Sequence, residues 1–286
     1  MRCERKYSGK GINTMKRYEI DNHEPSLLPE GEWKLAWSDE FDGMELDTSK
    51  WAYRLSMMGK RHPAWTNKGV HLDGNSNAVF TLMENSNGNP VSSQLQTGYN
   101  FMDEPVEQTT FGKDYLQWNI GKLHKNKYTH GYGYFECRCR LQQKTGWWSA
   151  FWIQSPVIGA SLEPGDTGVE VDIMESFKPG YVEPHNVFTG GYGVDMERSY
   201  VGGTDVDETE FHRFGLLWDE TGYTFYIDGR EDGKIADKLT ARPDFILIST
   251  EPLGYRNENH KPIKEAFENL GDTFLVDYVR VFDKVK

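Results

Sequence analysis

Cysteine is scarce in this chain of 286 residues: Cys3, Cys137 and Cys139 are the only three. So few thiols exclude a disulfide framework, and a chain this long can bury a sizeable core without one. No second Cys or His pair stands at ligand spacing from Cys137 and Cys139, which sets a zinc site aside. In FECRCRL, Phe135, Cys137, Cys139 and Leu141 alternate with Glu136, Arg138 and Arg140, so both thiols read as small core-facing hydrophobes on one strand. Positive charge is also in deficit. Thirty-two Lys and Arg stand against 44 Asp and Glu, a net charge of −12, which argues against general nucleic-acid binding. No run is long and apolar enough to span a membrane as a helix. Residues 1–30 are polar and carry no apolar stretch of the kind a signal peptide needs, so they read as a flexible leader before a single domain over residues 31–286. Helical periodicity is nearly absent too; only PIKEAFENL, residues 262–270, carries it.

What the chain does have is aromatic and β-branched residues in short, evenly spaced runs. Aromatics make up 14%, with 9 Trp, 15 Tyr and 15 Phe, more than a core of this size usually requires, so some rings are candidates for a binding surface. Strand signals fall at 78–83, 132–141, 149–154, 169–174, 214–218, 223–227, 245–249 and 274–282, each bounded by Gly, Asp, Asn or Pro. In GLLWDETGYTFYIDGRE, turns at Asp219–Gly222 and Asp228–Gly229 make hairpins. The pattern predicts an all-β fold, an antiparallel sandwich of two sheets.

One run poses a chemical question. GVEVDIMESF, residues 168–177, sets Glu170, Asp172 and Glu175 among Val169, Val171, Ile173 and Met174. Strict alternation places Glu170 and Asp172 on one face and Glu175 on the other, unless a bulge at Ile173–Met174 turns Glu175 back. Three readings are open: an acidic strand facing water, a cation site, and a pair of glycosidase carboxylates. For the last, retaining hydrolysis needs a nucleophile and an acid/base roughly 5–5.5 Å apart.

The surrounding residues resemble a family. Glu170-Val-Asp172-Ile-Met-Glu175 is similar to the bulged E-x-D-x-x-E signature of glycoside hydrolase family 16, which includes laminarinases, agarases, porphyranases and carrageenases. GYFECRCRLQQKTGWWSAFW, the 211–229 hairpin, VDYVRVF and WSDEFDG resemble other family strands in the expected order, from about Trp33 to Asp283. The resemblance implies a concanavalin-like jelly roll with a substrate cleft on its concave face, and an endo-acting retaining hydrolase of a polysaccharide. Glu170 would be the nucleophile, Glu175 the acid/base, and Asp172 the residue that hydrogen-bonds the nucleophile. Trp147 and Trp148 must face opposite ways on their strand, and the family pattern points Trp148 into the cleft. A basic loop, MMGKRHPAWTNKG, offers Trp65, Arg61 and His62, beside Lys60, as a cleft wall for sugar and anionic groups. Where laminarinases carry a His-Trp pair, HNVFTGGYG places Phe188 and Thr189, which tilts the expected substrate from β-1,3-glucan toward a red-algal galactan of the agar or porphyran type. A β-1,3- or β-1,3-1,4-glucanase, a transglycosylase and a non-catalytic lectin-like module are the alternatives. Catalysis would need no cofactor, but the resemblance implies a structural calcium held by Glu40 and Asp277. It further implies a monomer acting on polysaccharide in a secreted, cell-surface or periplasmic location.

Overall fold

The computed structural model describes residues 15–103, 107–110, 117–120, 124–191 and 195–285. Two large sheets face each other, and every strand pairing within them is antiparallel. The first has seven strands in the spatial order Met196–Val201, His185–Gly190, Glu170–Ser176, Trp147–Gln154, Phe245–Pro252, Gln94–Gln96 and Ala52–Tyr53. The second runs Arg230–Ile235, Gly222–Ile227, His212–Asp219, Gly133–Arg140, Thr273–Lys284, Ala78–Thr81 and Val70–Leu72, with Trp33–Asp39 also paired to Thr273–Lys284. This is the antiparallel two-sheet sandwich that the strand signals predict and that the family resemblance implies as a jelly roll.

Period-2 alternation explains why these sequences form these sheets. Val171 and Ile173 point inward from the first sheet, where they meet Phe135, Cys137, Cys139 and Leu216 from the second in one continuous core. Each large apolar side chain so buried contributes about 1.5–3 kcal/mol. Both cysteines are fully buried, as the alternation of FECRCRL requires. At Asp228 and Gly229 the chain takes positive φ at both positions, 48° and 74°. That is the pattern of a tight hairpin turn whose twist matches the strands it joins, and it links Gly222–Ile227 to Arg230–Ile235.

The leader reading fails for the part of residues 1–30 that is described. Lys16–Tyr18 pairs with Ser26–Leu28 as a small hairpin, and Leu28 is buried against Trp33, Tyr134 and Phe282 on the back of the second sheet. Residues 1–14, with Cys3, lie outside the described residues. The hairpin changes the environment of Glu136, which alternation alone would leave in water. Glu136 is fully buried; the Leu27 amide donates to Oε2 at 3.1 Å and the Tyr278 hydroxyl to Oε1 at 2.8 Å. Burial pushes its carboxyl above the usual range, although these donors oppose the shift. Alternation alone cannot show this burial, because the cover lies more than a hundred residues away in sequence.

Candidate active site

The Glu170–Ser176 strand answers the question its sequence poses. Against Trp147–Gln154, Phe151 pairs with Met174 and Trp152 with Asp172, so Ile173 is the extra residue of a bulge. Ile173 and Met174 are both fully buried on the core side, which restores Glu175 to the face that Glu170 and Asp172 occupy. All three carboxylates line one cleft on the outer face of the seven-stranded sheet. Asp172 is 7% exposed and its two neighbours are only partly covered, so their tips face the cleft from an otherwise enclosed setting.

Burial is the main influence on each carboxylate, and it disfavours the charged form. It pushes Glu170 up to about 8; the Arg54 guanidinium and a short hydrogen bond donated by the Gln154 amide pull the other way. Asp172 is raised well above the ordinary range, by burial first and then by the charges of Glu175 and Glu170. Glu175 is raised by burial as well, while Arg198, Arg256 and the Asn186 amide, 3.4 Å from Oε2, favour its ionised form. Desolvation is the larger cause of its rise, ahead of the negative charge of Glu183. Burial thus favours the protonated form of all three, the setting from which a carboxyl can donate a proton.

Of the two adjacent tryptophans, Trp147 is fully buried in the core and donates from Nε1 to Asp272, while Trp148 lines the cleft. Phe188 lines it too, directly across the ladder from Glu170. The aromatic and basic residues of the 57–69 loop do not join them. Trp65 is 2% exposed, stacked on His62 at 4.1 Å, and donates from Nε1 to the buried Glu251. A ring so enclosed cannot stack a sugar. Arg61 bonds its own loop, donating to the carbonyls of Leu55 and Trp65 at 2.6 and 2.7 Å. His62 is largely covered, and burial lowers it to about 4. Met57 and Met58 of this loop line the cleft, but Trp65, Arg61 and His62 do not, so the expectation that these three meet sugar and anionic groups there is corrected.

The cations of the site come from elsewhere. Arg54 is almost fully buried, ion-paired to Asp103 at 2.8 Å, and lies over Trp152. Arg256 is held through two nitrogens by Glu251, at 3.0 and 2.9 Å, and lies 4.7 Å from the Trp148 ring centroid. Arg198 extends from the edge strand over Phe188 at 4.8 Å. All three line the cleft. Sequence reasoning missed them because they sit on strands and loops far apart in the chain. The only local cue is an arginine near an acidic or aromatic residue, and that is common on any surface.

The expected calcium ligands do not form a donor set. Glu40 receives Arg280, with Nη2 at 2.7 Å from Oε2, and Asp277 receives Arg138 at 2.5 Å. Each carboxylate is thus engaged by its own guanidinium, and no group of three or more His, Cys, Asp or Glu stands ready for a metal among the described residues. These two positions do not fit a calcium ion.

Residues 59–245 match the family model described as Glycosyl hydrolases family 16. Curated relatives include the glucan endo-1,3-beta-glucosidase A1 of Niallia circulans, 27% identical over 87% of this chain and 37% of that protein's own length. They also include a beta-porphyranase B of Phocaeicola plebeius, 26% identical over 94% of this chain and 92% of the relative. Among solved structures, the laminarinase from Rhodothermus marinus superposes with a TM-score of 0.63 at 22% identity, covering 90% of this chain and all of its own. At that identity the superposition bears on the fold alone.

Proposed function

The chain belongs to the glycosyl hydrolases of family 16, and from that premise we propose that it cuts internal β-linkages of a sulfated galactan with retention of configuration. The observation that supports this most is the bulge at Ile173, which sets Glu170, Asp172 and Glu175 on one cleft face. In the reactive form Glu170 has shed its proton and Glu175 keeps one. A Glu170 oxygen attacks the anomeric carbon while the Glu175 proton passes to the departing glycosidic oxygen, leaving a glycosyl ester. Water then attacks the same carbon, its proton goes to Glu175, and Glu170 is released. Burial, then the charges of Glu175 and Glu170, raise Asp172 well above the ordinary range, which favours its neutral form between them.

The substrate reading rests on Arg198 and Arg256, which reach the cleft above Phe188 and Trp148. A guanidinium beside an aromatic ring suits a polymer whose sugar faces are apolar and whose edges carry sulfate. Relatives named as porphyranases accord with this. Others named as β-glucanases favour a second reading, a β-1,3- or β-1,3-1,4-glucanase. A polymer of either kind is too large to enter a cell intact, which supports a secreted, cell-surface or periplasmic location. Release of reducing ends from laminarin, lichenan, agarose, porphyran and carrageenan separates the readings. We expect porphyran to be cut fastest. Faster release from laminarin or lichenan would establish the glucanase, chain-length redistribution without net release a transglycosylase, and binding without release a lectin.

A further inference from the structure

A bulge leaves one residue without its ladder partners, so something must satisfy the backbone it exposes. At Ile173 that partner is His185, whose Nδ1 lies 2.7 Å from the Ile173 carbonyl oxygen. The imidazole is fully buried beneath the cleft sheet and stacks flat on Phe225, with centroids 4.4 Å apart and planes 4° from parallel. Its Nε2 lies 3.2 Å from Asp232 Oδ2, on the strand at the edge of the opposite sheet. The Gly203 amide also donates to that oxygen, at 3.1 Å. The backbone can come so close only because Gly202 has no side chain: a Cβ there would lie 2.1 Å from Asp232 Oδ2. Asp232 is held below the usual carboxylate range, first by its bond to His185. A carbonyl can only accept, so Nδ1 carries the hydrogen and donates it to Ile173.

We propose that His185, braced by Asp232, is a positioning residue for the acid/base: it fixes the bulge at Ile173 and so the direction in which Glu175, two residues on, faces the cleft. This rests on the reading of Glu175 as acid/base, and the two can be tested apart. An acid is required when the leaving group is a sugar hydroxyl and hardly at all when it is dinitrophenolate. A misaimed Glu175 therefore slows the first substrate selectively, whereas general loosening of the fold slows both. The experiment measures kcat/KM for wild type, His185→Phe, Asp232→Asn and Glu175→Ala on the oligosaccharide the enzyme cuts and on its dinitrophenyl glycoside. His185→Phe keeps the aromatic stack and removes both polar atoms; Asp232→Asn is nearly isosteric and guards against a misfolded first variant. We expect His185→Phe to lose about tenfold or more on the oligosaccharide, within the span of acid catalysis, and little on the activated glycoside. Asp232→Asn should lose less, with the same selectivity. Equal losses on both substrates for both variants, or none, would overturn the positioning role. If Glu175→Ala itself shows no selectivity, the acid/base assignment has failed instead.

Discussion

Glu170 has the Arg54 guanidinium nearby and a short hydrogen bond from Gln154, yet burial still dominates its titration. Its ordinary value is 4.5 and burial lifts it to about 8, so between those limits the folded protein holds a proton that the unfolded chain has lost. The stability this lends is complete below about 4.5 and is lost as pH rises through about 8. Glu170→Gln removes the titration while keeping the shape. The melting temperature of the variant, measured against wild type, should therefore gain from pH 5 to about pH 8 and level off above it. A difference that does not change with pH would show that Glu170 titrates normally. The cations allow a second residue-scale test. A charge-assisted hydrogen bond contributes about 1.5–3 kcal/mol. Arg198→Ala should thus cost on the order of tenfold or more in kcat/KM on a sulfated galactan, and less in high salt. Arg61→Ala should cost almost nothing, since Arg61 serves the carbonyls of Leu55 and Trp65. A loss confined to Arg61→Ala would reverse that assignment.

At the scale of the element, the bulge is an insertion in an otherwise regular strand. Deleting Ile173 gives Glu-Val-Asp-Met-Glu, a strict alternation that keeps three carboxylates on the cleft face. The cost is a buried isoleucine, worth about 2–5 kcal/mol for removal of such a side chain. Deleting Val171 instead makes Glu170 and Asp172 adjacent and turns them to opposite faces. We expect the Ile173 deletion to fold with a lowered melting temperature and measurable hydrolysis, and the Val171 deletion to show none. Activity in both or in neither, for protein folded by circular dichroism, would contradict the alternation argument. The strand also shows what sequence could convey. Hydrophobic periodicity carried Val171 and Ile173 inward, and the run of two apolar residues before Glu175 is itself the mark of the bulge. Strand alternation set Trp147 and Trp148 on opposite faces, and it took the family resemblance to point Trp148 to the cleft.

The whole molecule explains what sequence could not convey. Trp65, Arg61 and His62 have the composition of a binding loop, but composition does not say which side of a loop packs on the sheet; the buried Glu251 claims Trp65, a contact across 186 residues. Arg54, Arg198 and Arg256 meet at one cleft through pairings that span the chain, and no spacing announces them. The hairpin at Lys16–Leu28 resembles a tail until its cover over Glu136 is seen. On the proposed mechanism one carboxylate attacks and another supplies a proton, and azide distinguishes them on an activated β-glycoside. An alanine at the nucleophile admits azide to the opposite face, giving an α-glycosyl azide. An alanine at the acid/base leaves the covalent intermediate for azide to open, giving the β-anomer. The account predicts the α-azide from Glu170→Ala and the β-azide from Glu175→Ala, read from the anomeric coupling by proton NMR. The reverse pairing, or no rescue of either variant, would contradict it.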